Sequence, residues 1–210
     1  MNTVEQLRPD ARGHLRALRR TLGLLESELP RIERWGDQLA TVLLGGGRLL
    51  VAGNGGSAAE AQHLTAELVG RYRDERRPLS AISLHADTSS LTAISNDYGA
   101  GECFARQVRA HGREGDVLLA LSTSGESENV VAAARAACEL DMQSWALTGP
   151  GASTLGDACT DLLCVDAPST ATVQEAHLVT IHLLCAAVDD RIVHAARPAR
   201  RFAPVGDGWR

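Results

Sequence analysis

Residues 49–71, LLVAGNGGSAAEAQHLTAELVGR, constrain this chain more than any other stretch. Leu49-Leu50-Val51-Ala52 is a short apolar run with the length and flanks of a buried strand. It stops at Gly53-Asn54-Gly55-Gly56, where positive φ is cheap and bare amides can approach a ligand. Ser57 then offers a first-turn hydroxyl to a helix rich in small residues. Strand, glycine turn and helix N-terminus together make an anion seat, because unpaired N–H groups and the helix dipole point the same way. His63 and Glu67, four apart, share one helix face about one turn from each other. By itself this spacing serves surface ion pairs as readily as catalysis.

At 210 residues, a single α/β domain with one sizeable core is expected. The net charge of −5, with no Lys/Arg stripe, argues against nucleic acid or anionic membrane as partners. Five cysteines without a CxxC, several in apolar runs, read as reduced and mostly buried thiols. No signal-peptide core and no apolar run of transmembrane length is apparent, so a soluble, cytoplasmic protein is expected.

Upstream, Val4, Leu7, Ala11, Leu15, Leu18, Leu22, Leu25 and Leu29 form a helical stripe close to a heptad seam. Thr3 with Gln6 forms a candidate capping box, and Pro9 marks an alternative start. Pro30 punctuates the seam, and a second helix is expected over 32–44. The seam reads either as an oligomer contact or as packing on its own domain. Further strands are expected at 79–84, 116–121, 142–148 and 161–165. Helices are expected at 88–94, 102–110, 129–140 and 170–196, with Asn96-Asp97-Tyr98-Gly99 as a connection. The segment RYRDERRP reads as a polar link, and 197–210 as a loosely docked basic tail. Alternation of strands and helices predicts a doubly wound, five-stranded parallel sheet with helices on both faces, preceded by long N-terminal helices.

After the strand DVLLAL comes Ser122-Thr123-Ser124-Gly125-Glu126-Ser127, four hydroxyls around one glycine at a strand-to-helix junction. Such a loop holds phosphate without lysine, since the helix N-terminus supplies positive potential. It equally fits a serine-rich turn that only caps the helix. Glu126 sits awkwardly beside an anion unless it points away. A P-loop is excluded by the missing GxxxxGK[ST], and GNGGSA is not the dinucleotide fingerprint, so no nucleotide cofactor is expected.

GNGGSAAEAQH, ELVGRY, NDYG, GDVLLALSTSGES and VQEAH, in this order, resemble the sugar-isomerase (SIS) domain family, most closely its phosphoheptose isomerase branch. The likeness spans roughly residues 3 to 192. It implies one SIS domain over 1–196, with 1–46 used in oligomerisation. It also implies a homotetramer with active sites between subunits, acting on a sugar phosphate, namely sedoheptulose 7-phosphate. Aldose–ketose isomerisation needs a base at carbon, an acid at oxygen and stabilisation of an enediolate. By resemblance Glu67 is that base and His182 that acid. The resemblance also implies a zinc ion held by His63, Glu67, Gln174 and His182, the first two facing the last two across the cleft. Asn54, Gly55, Ser57, Ser122, Thr123, Ser124 and Ser127 then form the phosphate end, with Arg71, Asn96, Asp97 and Gln174 contacting the sugar or ordering the cleft. Ala171-Thr172 stand where the family often carries Asp-Arg. The competing readings are an isomerase of another sugar phosphate and a non-catalytic relative that associates with the bacterial replication initiator. That relative lacks the residues matching Glu67 and His182.

Overall fold

The computed structural model describes residues 11–196. Val4, Leu7, the Thr3–Gln6 box, Pro9 and the tail lie outside the described residues. The helices are α1 (Ala11–Leu25), α2 (Leu29–Leu44), α3 (Gly56–Val69), α4 (Thr88–Tyr98), α5 (Ala105–His111), α6 (Glu128–Glu139), α7 (Thr154–Ala158) and α8 (Thr170–Ala196). The strands are β1 (Leu49–Gly53), β2 (Ala81–Ser83), β3 (Val117–Ser122), β4 (Gln143–Thr148) and β5 (Asp161–Cys164). They form one sheet in the order β2-β1-β3-β4-β5, parallel throughout.

β1 and β3 are buried along their whole length, which is why both read as unbroken apolar runs. Side chains alternate between the two faces. Leu49, Val51, Leu119 and Trp145 enter the core under α2, α3 and α8, where Trp35 stacks on Trp145 at 4.9 Å. Leu50, Ala52, Leu118 and Ala146 enter the core under α5 and α6, around Phe104. The order reverses between β1 and β3, where Gly53, the last residue of β1, is the register partner of Leu121, one residue before the end of β3. Both candidate phosphate loops therefore leave the sheet side by side at the topological switch point.

Several boundaries differ from expectation. Asn96 and Asp97 are not a connection: α4 runs through them from a well-made Asp87 N-cap to Gly99 at φ 89°. Pro30 marks the break between α1 and α2, but α2 begins at Leu29 rather than 32, with Pro30 in its first turn, where its missing N–H costs nothing. The seam is only partly consumed by its own chain: Leu25 is buried, yet Leu15 is 54 % exposed. Of the five free cysteines only Cys103 and Cys185 are buried. By length and mean hydropathy, 1.3 over Thr170–Val193, α8 would cross a bilayer; it is instead the core helix, packed on α1, α2 and α3.

Candidate active site

The first loop is built by close approach. Ser57 N–H donates to the Asn54 carbonyl at 3.0 Å as α3 begins, and Gly55 stands before it at φ 55°. A Cβ on Gly56 would lie 2.3 Å from the Gln174 side-chain nitrogen, so glycine lets α8 lay an amide on this turn. Ser57 is buried at the base of the seat. One helical turn on, burial raises the Glu60 carboxyl to about 7, partly offset by the Ser57 hydroxyl.

The second loop is a ring of hydroxyls. Ser122 Oγ lies 3.0 Å from Ser127 Oγ and 3.4 Å from Ser124 Oγ, and accepts the Gly125 N–H at 3.1 Å. Ser127 occupies the N-cap position of α6 but makes no side-chain cap bond, its hydroxyl turning to Ser122 instead. The turn thus does more than cap. Thr123 offers its carbonyl to the Gly149 N–H at 3.1 Å, which ties the loop to the end of β4. Glu126 points away: its carboxylate accepts the Thr154 N–H at 2.8 Å and the Thr154 hydroxyl at 2.5 Å. Those bonds, hydroxyl first, hold its pKa below the usual carboxylate range.

Asn129, which the sequence reading did not single out, joins the two loops. It exchanges amide hydrogen bonds with Asn54 at 2.8 and 2.9 Å. Behind this pair lies a cavity of about 410 Å³ lined by Gly55, His85, Ser95 and Cys103 among others. His85 receives a partner there, Ser83 Oγ at 2.8 Å, and burial lowers its pKa.

At the other end of α3, His63, Glu67 and His182 converge within one chain. His63 Nε2 is 2.9 Å from His182 Nε2 and 3.4 Å from Glu67 Oε1. Tyr72, also unforeseen, stacks on the His182 ring at 5.8 Å. The side chains of His63 and Glu67 are 40 % and 21 % exposed, so solvent and small ligands reach the cluster. Two imidazole nitrogens and a carboxylate oxygen, all within 4.8 Å of one another, are a donor set that fits a divalent metal. Gln174, the fourth ligand that the resemblance implies, lies eight residues before His182 on α8, about 12 Å along the helix, with its amide on Gly56.

His177 is fully buried with its Nε2 on the Thr148 carbonyl at 3.1 Å, and burial lowers its pKa to about 4. It is a neutral strut, not a ligand. His14, on α1, lies 2.9 Å from Glu175. Arg71, Asn96 and Asp97 are exposed. Arg71 donates to the Arg73 carbonyl, and Asn96 donates to Asp97.

The SIS domain family profile matches residues 14–149. A phosphoheptose isomerase from Streptomyces coelicolor is 61% identical over 91% of this chain and 84% of its own length. The structure of a phosphoheptose isomerase from Francisella tularensis superposes with TM-score 0.81 at 36% identity, covering 85% of this chain and 96% of that one. A third, from Neisseria gonorrhoeae, gives TM-score 0.75 at 42% identity, covering 85% of this chain and 94% of that one. With glycine turn, hydroxyl ring and acid–base cluster in one parallel α/β fold, this chain belongs to the phosphoheptose isomerase family of SIS-domain proteins.

Proposed function

We propose that this chain converts sedoheptulose 7-phosphate to D-glycero-D-manno-heptose 7-phosphate through an enediolate. The observation that carries this reading is the meeting of His63, Glu67 and His182 in an accessible cluster on the same helix that opens at a phosphate seat. The phosphate is held by Ser57, Ser122, Ser124 and Ser127, with Thr123 beside them and the α3 and α6 N-termini supplying positive potential. Asn54 and Gly55 line the seat. Gln174, resting on Gly56, is placed to read a sugar hydroxyl near that end.

Glu67 takes the proton from carbon and returns it to the neighbouring carbon. His182 moves the proton between the two oxygens, with Tyr72 stacked on its ring to hold the plane. Glu67 points Oε1 at His63, which leaves Oε2 for the substrate. Zinc fits a His–Glu–His donor set, and His63, Glu67 and His182, with Gln174 as the fourth ligand, are the residues that would hold it. When bound it would supply Lewis-acid polarisation of the substrate oxygens.

The half-exposed leucine seam of α1 and the exposed Arg71, Asn96 and Asp97 fit a homotetramer in which sites lie between subunits. Residues 1–196 would then be one SIS domain, its N-terminal helices serving assembly and 197–210 forming a tail. Cytoplasmic sugar phosphates are the matching substrate pool. The test is an isomerisation screen of five- to seven-carbon ketose phosphates followed by NMR, with and without a chelator. The expected result is an aldose signal growing from the seven-carbon substrate. Silence across all of them would sink the reading.

A further inference from the structure

We infer that Arg76 and Asp189 are a positioning pair that sets the spacing of the His63–Glu67–His182 cluster; this rests on the isomerase reading above. Arg76 lies in the link after α3 that its sequence marks as merely polar, yet its side chain is 5 % exposed and that of Asp189 is 3 %. Its Nε donates to Asp189 Oδ1 at 2.8 Å. Nη2 donates to the Glu67 carbonyl at 2.8 Å, and Nη1 to the Leu68 carbonyl at 2.9 Å. A helix leaves its last carbonyls without intrahelical partners, and water usually serves them. Here one guanidinium reaches two of them, the Leu68 carbonyl, which also accepts the Leu79 N–H at 3.1 Å, and the carbonyl of the residue read as the catalytic base.

Asp189 is seven residues beyond His182, so it sits on the same face of α8 roughly two turns away. Cys185 is buried between them. Because Arg76 bonds both Asp189 and the Glu67 carbonyl, pair and cluster are contiguous. A buried ion pair is a weak source of stability and a strong source of fixed geometry when its partners are this well enclosed. The fork of Arg76 locks the C-terminal turn of α3 against α8, and the separation of Glu67 from His182 follows from that lock.

The experiment uses the full chain with Asp189→Asn and, separately, Arg76→Lys. The lysine keeps a charge near Asp189 but loses the planar fork that reaches two carbonyls, so it tests the pair even if the asparagine variant does not fold. Three quantities are read: thermal melting, kcat and KM on sedoheptulose 7-phosphate, and long-range ¹⁵N–¹H spectra of the histidine rings. The expected result is a kcat lower by roughly tenfold, since small misplacements of reacting groups are costly. KM should change by less than about twofold, because the phosphate seat is untouched. The His63 and His182 ring signals should move while those of His111 stay. A lower melting temperature with unchanged kcat and unchanged ring signals overturns the inference and leaves only a structural tie. A wild-type protein that turns over no ketose phosphate counts against the functional reading, and the ring signals alone then decide the pair.

Discussion

The helix that carries His63 and Glu67 and the helix that carries Asn96 and Asp97 are made of different material. α3 buries Ser57, Glu60, Ala61, Leu64, Thr65 and Leu68, and lies between the sheet and α8. α4, TSSLTAISNDY, buries none of its residues. Small and leucine side chains let the first be enclosed by its own chain, whereas the second presents mostly hydroxyls and amides to solvent. The His63–Glu67–His182 cluster that α3 carries comes together within one chain. α4 leaves Asn96 and Asp97 exposed, and in the proposed tetramer a second copy would cover them.

That contrast breaks most sharply at the cluster. Glu67→Gln or His182→Asn should lower kcat by roughly a thousandfold, the range general acid–base groups contribute. Melting temperature and assembly should stay as in the parent, because neither side chain is in the core. Steady-state kinetics with size-exclusion chromatography would show it. Asp97→Asn should instead cost activity only in the assembled protein. If it matters equally at dilutions where copies separate, the reading of α4 as an interface element is wrong.

Enclosure also makes the buried helices titrate, and this sharpens the comparison. His177 has its pKa lowered from the ordinary 6.5 to about 4. An unfolded chain binds that proton sooner than the folded one, so stability is intact above pH 6.5 and falls as pH drops toward 4. Glu60 runs the other way, its pKa raised from 4.5 to about 7. Its contribution is intact below pH 4.5 and fades as pH rises through 7. Each amounts to roughly 3 kcal/mol. Denaturant melts from pH 4 to 8 should show His177→Gln flattening the acid limb and Glu60→Gln the neutral limb. A variant that leaves its limb as steep as in the parent would rule out that residue as the cause.

The hydroxyl ring is next in size. Ser122→Ala removes the oxygen that Ser127, Ser124 and the Gly125 N–H all meet. Hydrogen bonds to charged groups are worth about 1.5–3 kcal/mol, so KM should rise by roughly tenfold or more with kcat less affected. Inhibition by inorganic phosphate should weaken in step. Unchanged phosphate inhibition would place the anion elsewhere.

Much of this architecture is legible in the residues themselves. β1 and β3 are apolar runs between polar flanks, and α8 is an apolar stretch of 27 residues, far too long for a strand. The two loops announce themselves by glycine and hydroxyl density. What is not legible is whatever depends on distant partners. His63 meets His182 across 119 positions, and Arg76 meets Asp189 across 113. Nothing local to RYRDERRP marks one arginine of four for burial. α7 is five residues, too short for any periodicity to register. Asn96 and Asp97 look like a turn yet close α4, because turn-forming residues can sit in the last turn of a helix when a glycine follows to end it.

The smallest effect belongs to Glu126, and its sign is more informative than its size. A carboxylate facing the phosphate would repel it, so Glu126→Gln would then tighten binding. In this structure the carboxylate clasps the start of α7 through the Thr154 hydroxyl and amide, holding the loop from outside. Glutamine can accept one of those bonds with its oxygen but cannot take both with the same charge. Phosphate affinity should therefore fall slightly, by about twofold, as expected for an exposed charged contact. The clasp also requires the ionised form: with its pKa held low, it is present above the ordinary carboxylate range and is lost as pH falls through the folded value. The difference between Glu126→Gln and the parent should shrink below that value and be full at neutral pH. Tighter phosphate binding in the variant would mean that Glu126 turns inward in solution, and the second loop would no longer be complete within one chain.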